Sequence, residues 1–208
     1  MICDSRNWRL LKATATGIRL ITPHQLAGWW GVNVTNARRS LDGLTASGFL
    51  NEVPVRARKI PAIERPLLRW CPGEATPHFG KLSYVAKERF RELPPVLMTA
   101  YSSSRLTLIQ FAVRGSVRIK RSQASHELGV TEAFLYAAKR WPRFTEHCWV
   151  GESLYSGERS HGEKVEDAHF ISPKTGEVIL AIEYAGTYPS ERFEALHHQL
   201  QHKPYWIM

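Results

Sequence analysis

Thr22-Pro23-His24-Gln25-Leu26-Ala27-Gly28-Trp29-Trp30-Gly31-Val32-Asn33-Val34-Thr35-Asn36-Ala37-Arg38-Arg39-Ser40-Leu41 is the stretch whose reading decides the fold. Thr22-Pro23 has the form of an N-cap followed by proline at the first helical position, where the missing N–H costs nothing. The short helix it starts runs to Trp29-Trp30, and at least one of those rings is expected to fill the core between helices. Gly31-Val32 supplies a turn. A second helix is expected from about residue 34 to 47, with Asn33 or Thr35 as N-cap and Gly48 placed to end it. Ala37, Leu41 and Leu44 fall at i, i+4 and i+7 and share one face. Thr35 and Arg39 point the opposite way, flanked by Asn36 and Arg38. A small polar residue, an amide and two guanidiniums on the outer face of such a second helix suit base edges and phosphates, although a solvated amphipathic helix has the same pattern.

Downstream the period changes. Residues 49–56 and 66–71 are strand-like, and the segment between them is basic and too long for a tight turn. Paired as a hairpin, the two strands would make a wing beside the second helix, with Arg56, Arg58, Lys59 and Arg65 reaching a phosphate backbone or minor groove. Pro61 and Pro66 would stiffen its tip; the alternative is a mobile surface loop. Upstream, residues 6–21 form a first helix candidate with Trp8, Leu11, Ala15 and Ile18 at helical spacing.

The charge is distributed unevenly in support of this reading. Residues 1–123 hold 20 Lys+Arg against 7 Asp+Glu, a balance of +13, whereas residues 124–208 hold 8 against 12, a balance of −4, within a total of +9. The basic part suits a polyanion and the mildly acidic part does not. A hydrophobic content of 43% supports real cores and argues against disorder. No apolar run approaches the roughly 18 residues a membrane span needs, so no membrane association and no signal peptide are expected. Cys3, Cys71 and Cys148 form no CxxC pair, which fits a reducing cytoplasm and not a disulfide framework or zinc site.

Residues 72–77 are linker-like, residues 83–93 form a charged helix, and Pro94-Pro95 stops it, so a domain boundary is expected within 72–95. Residues 106–113 suit either helix or buried strand. Residues 122–136 contain Leu128-Gly129-Val130-Thr131, a common turn between helices, and two packed helices are expected there. Residues 149–154 are followed by a flexible polar segment at 155–163. Then come a strand over 165–171, a turn at Pro173-Lys174-Thr175-Gly176, and a strand over 178–184. A final helix over 190–202 carries Phe193, Leu196 and Leu200 inward. Lys203-Pro204-Tyr205-Trp206-Ile207-Met208 ends in apolar residues that would pack on the core or on a second subunit, and a homodimer would let two recognition helices read a two-fold site.

His126-Glu127-Leu128-Gly129-Val130, Glu166-Asp167-Ala168 and Leu180-Ala181-Ile182-Glu183-Tyr184-Ala185-Gly186-Thr187, in this order after a helix-turn-helix, resemble the plasmid replication-relaxation protein family. The resemblance implies an α+β chain: an N-terminal winged helix-turn-helix over residues 1–80, connecting helices over 81–121, and over 122–208 a small α/β domain like a degenerate PD-(D/E)xK nuclease. It further implies a DNA-binding protein of a bacterial plasmid or other mobile element, acting in transcriptional regulation, replication or transfer, with double-stranded DNA as partner. PD-(D/E)xK chemistry uses two acids at adjacent strand ends to hold Mg²⁺ or Mn²⁺, and Asp167 and Glu183 match those positions as catalytic and metal-binding residues. The lysine expected two residues after the glutamate is Ala185 here, and Glu166 stands where the motif has proline. Losing that lysine weakens charge stabilisation and favours a domain that binds without cutting and needs no cofactor. Lys203 and Lys174 are candidates for a migrated cation, and Glu152 for a third acid. His198 and His202, four residues apart with Glu194 one turn back, have metal-ligand spacing, but a solvated histidine-rich face has it too.

Overall fold

The computed structural model describes residues 4–91, 93–114, 119–155 and 166–208. It is an α+β chain. Three helices open it: α1 (Ser5–Thr16), α2 (Pro23–Trp30) and α3 (Val34–Ala46). The expected caps are present. The Thr22 hydroxyl accepts from Gln25 N, and the Gln25 side chain returns to the Thr22 backbone, a reciprocal capping box with Pro23 at N1. Asn33 is the N-cap of α3, accepting from Asn36 N at 2.8 Å. Gly48, at φ +78°, ends α3 while Gly48 N and Phe49 N donate to the carbonyls of Thr45 and Leu44.

Next come β1 (Leu50–Ala57), β2 (Leu68–Trp70), α4 (Phe79–Phe90) and β3 (Val96–Ser103). The expected hairpin between residues 49–56 and 66–71 does not form. All eight residues of β1 pair antiparallel with β3, and β2 joins a different sheet. Nothing in residues 58–67 offers the tight left-handed turn a short hairpin needs, whereas β3 matches β1 in length. Tyr101 of β3 also exchanges backbone hydrogen bonds with Ile21 on its other side.

The remaining elements are α5 (Arg105–Gln110), a 3₁₀ turn at Arg121–Gln123, α6 (Ala124–Arg140), α7 (Pro142–Cys148), β4 (Trp149–Gly151), α8 (Glu152–Tyr155), β5 (Ala168–Ile171), β6 (Val178–Glu183), α9 (Ser190–Leu200) and β7 (Tyr205–Ile207). The flexible segment expected at 155–163 lies almost wholly outside the described residues. α6 corrects the expected pair of helices. Gly129 is no turn: a Cβ there would lie 2.0 Å from the Tyr184 ring, so the missing side chain is the notch that receives the tyrosine. Thr131 lies inside the helix, its hydroxyl proton shared between the carbonyls of Glu127 and Leu20.

The second sheet runs β2-β7-β6-β5-β4, with β7 parallel to β6 and the other pairs antiparallel. The terminal apolar run therefore packs inside this chain as an interior strand. One core cluster joins Leu10, Leu26 and Leu41 to Phe134, Trp149, Phe170 and Tyr184; a second sits between the other face of the sheet and helices α4 and α9. The chain crosses the expected 72–95 boundary both ways, since β2 serves the C-terminal sheet and β3 serves the N-terminal one.

Candidate functional site

Two surfaces carry the residues singled out by sequence. The first is the outer face of α3. Ala37, Leu41 and Leu44 are buried against the first core cluster, and that burial turns Thr35, Asn36, Arg38 and Arg39 to solvent. Arg39 Nη1 donates to Asn36 Oδ1 at 3.2 Å, which aligns the amide and the guanidinium side by side. Arg38 lies 3.9 Å from Asp42, one turn on. Of the basic residues expected on a wing, Arg56, Lys59 and Arg65 are exposed. Arg58 is half-buried, with its backbone N held by Ser125 Oγ. Arg38, Arg58 and Lys59 share one groove, and Lys139 of α6 joins them there.

The second surface is the open end of the β5–β6 hairpin. Ala168 pairs with Ile182, so Asp167 and Glu183 stand opposite each other one step further along. Both are buried. Asp167 is engaged on both oxygens: Oδ1 lies 2.8 Å from His126 Nε2, and Oδ2 accepts from Tyr184 N at 2.7 Å. Burial works against the His126 imidazolium, but the hydrogen bond and charge of Asp167, with Glu127 and Glu183 near, hold its pKa up at about 9. Glu183 Oε1 accepts from the Tyr188 hydroxyl at 3.0 Å, and burial and this carboxylate push the phenol well above its ordinary value.

Around Asp167, among the described residues, four carboxylates (its own and those of Glu127, Glu152 and Glu183) face two cations, His126 and Arg19. Arg19 bridges Glu127 at 2.9 Å and Glu152 at 3.1 Å, and Glu152 N donates to the Asp167 carbonyl. The cleft these residues line, about 20 Å³, holds no more than about one water. Lys203 does not reach Glu183; its Nζ lies 3.3 Å from Glu166 Oε1. Glu166 Oε2 meets His169 Nε2 at 2.8 Å. Burial opposes the Glu166 charge, yet His169 and Lys203 hold its pKa down at about 2. Ala185 is buried among α4, α9 and β7, where no lysine side chain would fit without displacing the core. Lys174 is exposed in the hairpin turn.

These residues fit a divalent cation poorly. The His126 imidazole already sits on one Asp167 oxygen, Arg19 holds Glu127 and Glu152, and no group of three metal-ligating side chains is found among the described residues. His198 faces Glu194 at 3.9 Å on the exposed side of α9, while His197 is buried against the Tyr205 hydroxyl at 2.7 Å. Sequence reading passed over Arg19 and the role of His126. The signal for His126 was its place in the His126–Val130 phrase; Arg19 carried none. No helix of the described chain is long and apolar enough to cross a membrane. Set against protein-family models, curated proteins and solved structures, the chain matches none, so the reading of both surfaces rests on their own residues.

Proposed function

We propose that this chain is a double-stranded DNA-binding protein that presents α3 to the major groove and the basic residues of β1 and the 58–65 segment to the flanking backbone. In this reading α2 and α3 are a helix-turn-helix, and β1 with β3 is its wing, bearing residues 58–95 as an insertion where a short tip would be. The observation that carries it is the exposed row Thr35, Asn36, Arg38 and Arg39, backed by fully buried Ala37 and Leu41. The sequence resemblance extends it to a regulator or replication and transfer factor of a plasmid or other mobile element, acting in the cytoplasm as a homodimer on a two-fold site. The C-terminal sheet then serves as a nuclease-like support that does not cut, consistent with Asp167 being neutralised by His126.

A second reading, a Mg²⁺- or Mn²⁺-dependent endonuclease delivered by α3, draws on Asp167 and Glu183 facing each other across the hairpin end. One experiment addresses both. Selection from random duplexes should yield a preferred sequence bound with steep salt dependence, and Arg39→Ala should flatten that preference by roughly 1–3 kcal/mol at the contacted base pair. An unchanged preference would sink the recognition helix. The selected duplex, supercoiled and incubated with either cation, should stay intact; cutting that disappears in Asp167→Asn would establish the second reading instead.

A further inference from the structure

A groove of about 540 Å³ opens between α2, the 58–62 segment, β3 and α6, a size suited to a small organic ligand. α6 gives it one helical stripe, Leu128, Glu132, Leu135 and Lys139. Glu132 is the unexpected member. Residues 127–138 of α6 are all buried, and Glu132 as a residue is only 7% exposed, yet it is among the residues that line the groove. Gln25 borders it, its side chain donating to Leu128 O at 2.9 Å one helical turn before Glu132. Ile60, Met98 and Leu135 supply apolar walls. At the rim His24, Arg38, Lys59 and Lys139 are exposed, so the mouth is basic.

A ligand matching these features is apolar in its body, anionic at the end that meets the rim, and carries hydrogen-bond donors at the end that meets Glu132. A cationic ligand would be repelled at the mouth. A fatty acid would lay hydrocarbon on the carboxylate and strip its solvation without replacement. Adenine sets a single donor beside an acceptor, leaving one carboxylate oxygen facing a lone pair. Guanine sets N1–H beside N2–H, two adjacent donors that match the two oxygens of one carboxylate. We propose that this groove binds a guanine nucleotide, with Glu132 reading the base edge and the basic rim holding the phosphates. The inference goes beyond duplex recognition by α3 and does not need it, because binding is read on the protein alone.

The test is calorimetric titration of the full chain with GDP, ADP, IDP, 1-methyl-GDP and inorganic pyrophosphate. GDP should bind, and ADP, IDP and 1-methyl-GDP should each bind at least about tenfold more weakly, because each leaves a carboxylate oxygen without its donor. Glu132→Gln, verified as folded by circular dichroism, should erase the preference for GDP over ADP. Raising salt should weaken GDP binding through the rim cations. The ligand series uses the wild-type chain, so it decides the matter even if the variant does not fold. A guanine swung out of a single strand offers the same groups, so a dG-containing hexanucleotide is titrated alongside; tighter binding than GDP would assign the source to a strand. Equal affinity for GDP and ADP or 1-methyl-GDP, pyrophosphate binding as tightly as GDP, or no binding of any guanine ligand would overturn the proposal.

Discussion

Gly129 shows what a single missing side chain does here. Alanine in a helix interior is ordinarily favoured over glycine by about 1 kcal/mol. At Gly129 the added Cβ would lie 2.0 Å from two Tyr184 ring carbons, and that ring is itself fully buried between α6 and the sheet. Overpacking of this kind costs roughly 1–3 kcal/mol or more, so the steric cost wins and Gly129→Ala should lower the urea midpoint. Gly43, in the exposed part of α3, has nothing within 4 Å of an added Cβ, and Gly43→Ala should raise the midpoint by the usual helix gain. Pairing Gly129→Ala with Tyr184→Leu should restore part of the loss; if it does not, the notch is not the cause. In the sequence Gly129 read as a turn because Leu-Gly-Val-Thr is a local phrase, and a glycine's reason for being there lies in a partner the chain brings in from far away. Asp167 and Glu183 were named by the family resemblance, whose two phrases lie on the two strands of one hairpin. His126 and Arg19, which settle the charge state around Asp167, come from two other elements and left no periodic trace.

At the scale of elements, α2 and α3 were legible because their caps, their turn and their apolar stripe are all local. β1 was legible as a strand, but its partner was not, because pairing is decided between residues separated by the whole of 58–95. α6 was misread for a related reason: residues 127–138 are buried all round, so the amphipathic signature that marks a surface helix is absent. That burial has a measurable consequence at Glu132. Desolvation raises its carboxyl from 4.5 to about 6, against the opposing effects of the Gln25 hydrogen bond and the Lys139 charge. A carboxyl whose folded pKa is raised binds its proton more tightly in the folded chain. Its contribution is therefore fully present below about pH 4.5 and is lost as pH rises through about 6. The size of that loss is about 2 kcal/mol by pH 8. Glu132→Gln carries no proton to lose, so its stability relative to wild type should improve by about this amount between pH 4.5 and pH 8 in paired urea melts. A difference that stays flat across that range would mean the carboxyl does not titrate in a buried site.

Across the whole molecule, charge is distributed unevenly between the two halves of the sequence, but packing does not separate two bodies. Arg69 of β2 donates to the Tyr136 hydroxyl on α6 at 2.7 Å, Trp149 Nε1 donates to Gly17 O, and Arg19 reaches Glu127 and Glu152. One core cluster runs from α1 and α3 through α6 to β5 and β6. β7 is the strand that closes this arrangement. It lies between β2 and β6; Ile207 O accepts from Leu67 N, and Met208 exchanges hydrogen bonds with Glu183 and Ala185. Removing residues 205–208 would take buried Tyr205, Ile207 and Met208 from the two main cores. At roughly 1.5–3 kcal/mol for each side chain, before counting the unpaired strand edges, the loss is comparable to a whole domain's net stability of roughly 5–15 kcal/mol. The truncated chain should therefore lose cooperative unfolding. It should also lose duplex binding, although α3 is untouched, because α6, which shares the first core cluster with α1–α3 and with β5 and β6, loses its footing when the sheet goes. In the intact chain, tryptophan fluorescence and far-ultraviolet circular dichroism should report one coincident urea transition. If the truncated chain instead kept its duplex affinity and a dispersed amide spectrum over residues 4–57, the N-terminal helices would fold alone and the shared core would be a contact between independent bodies.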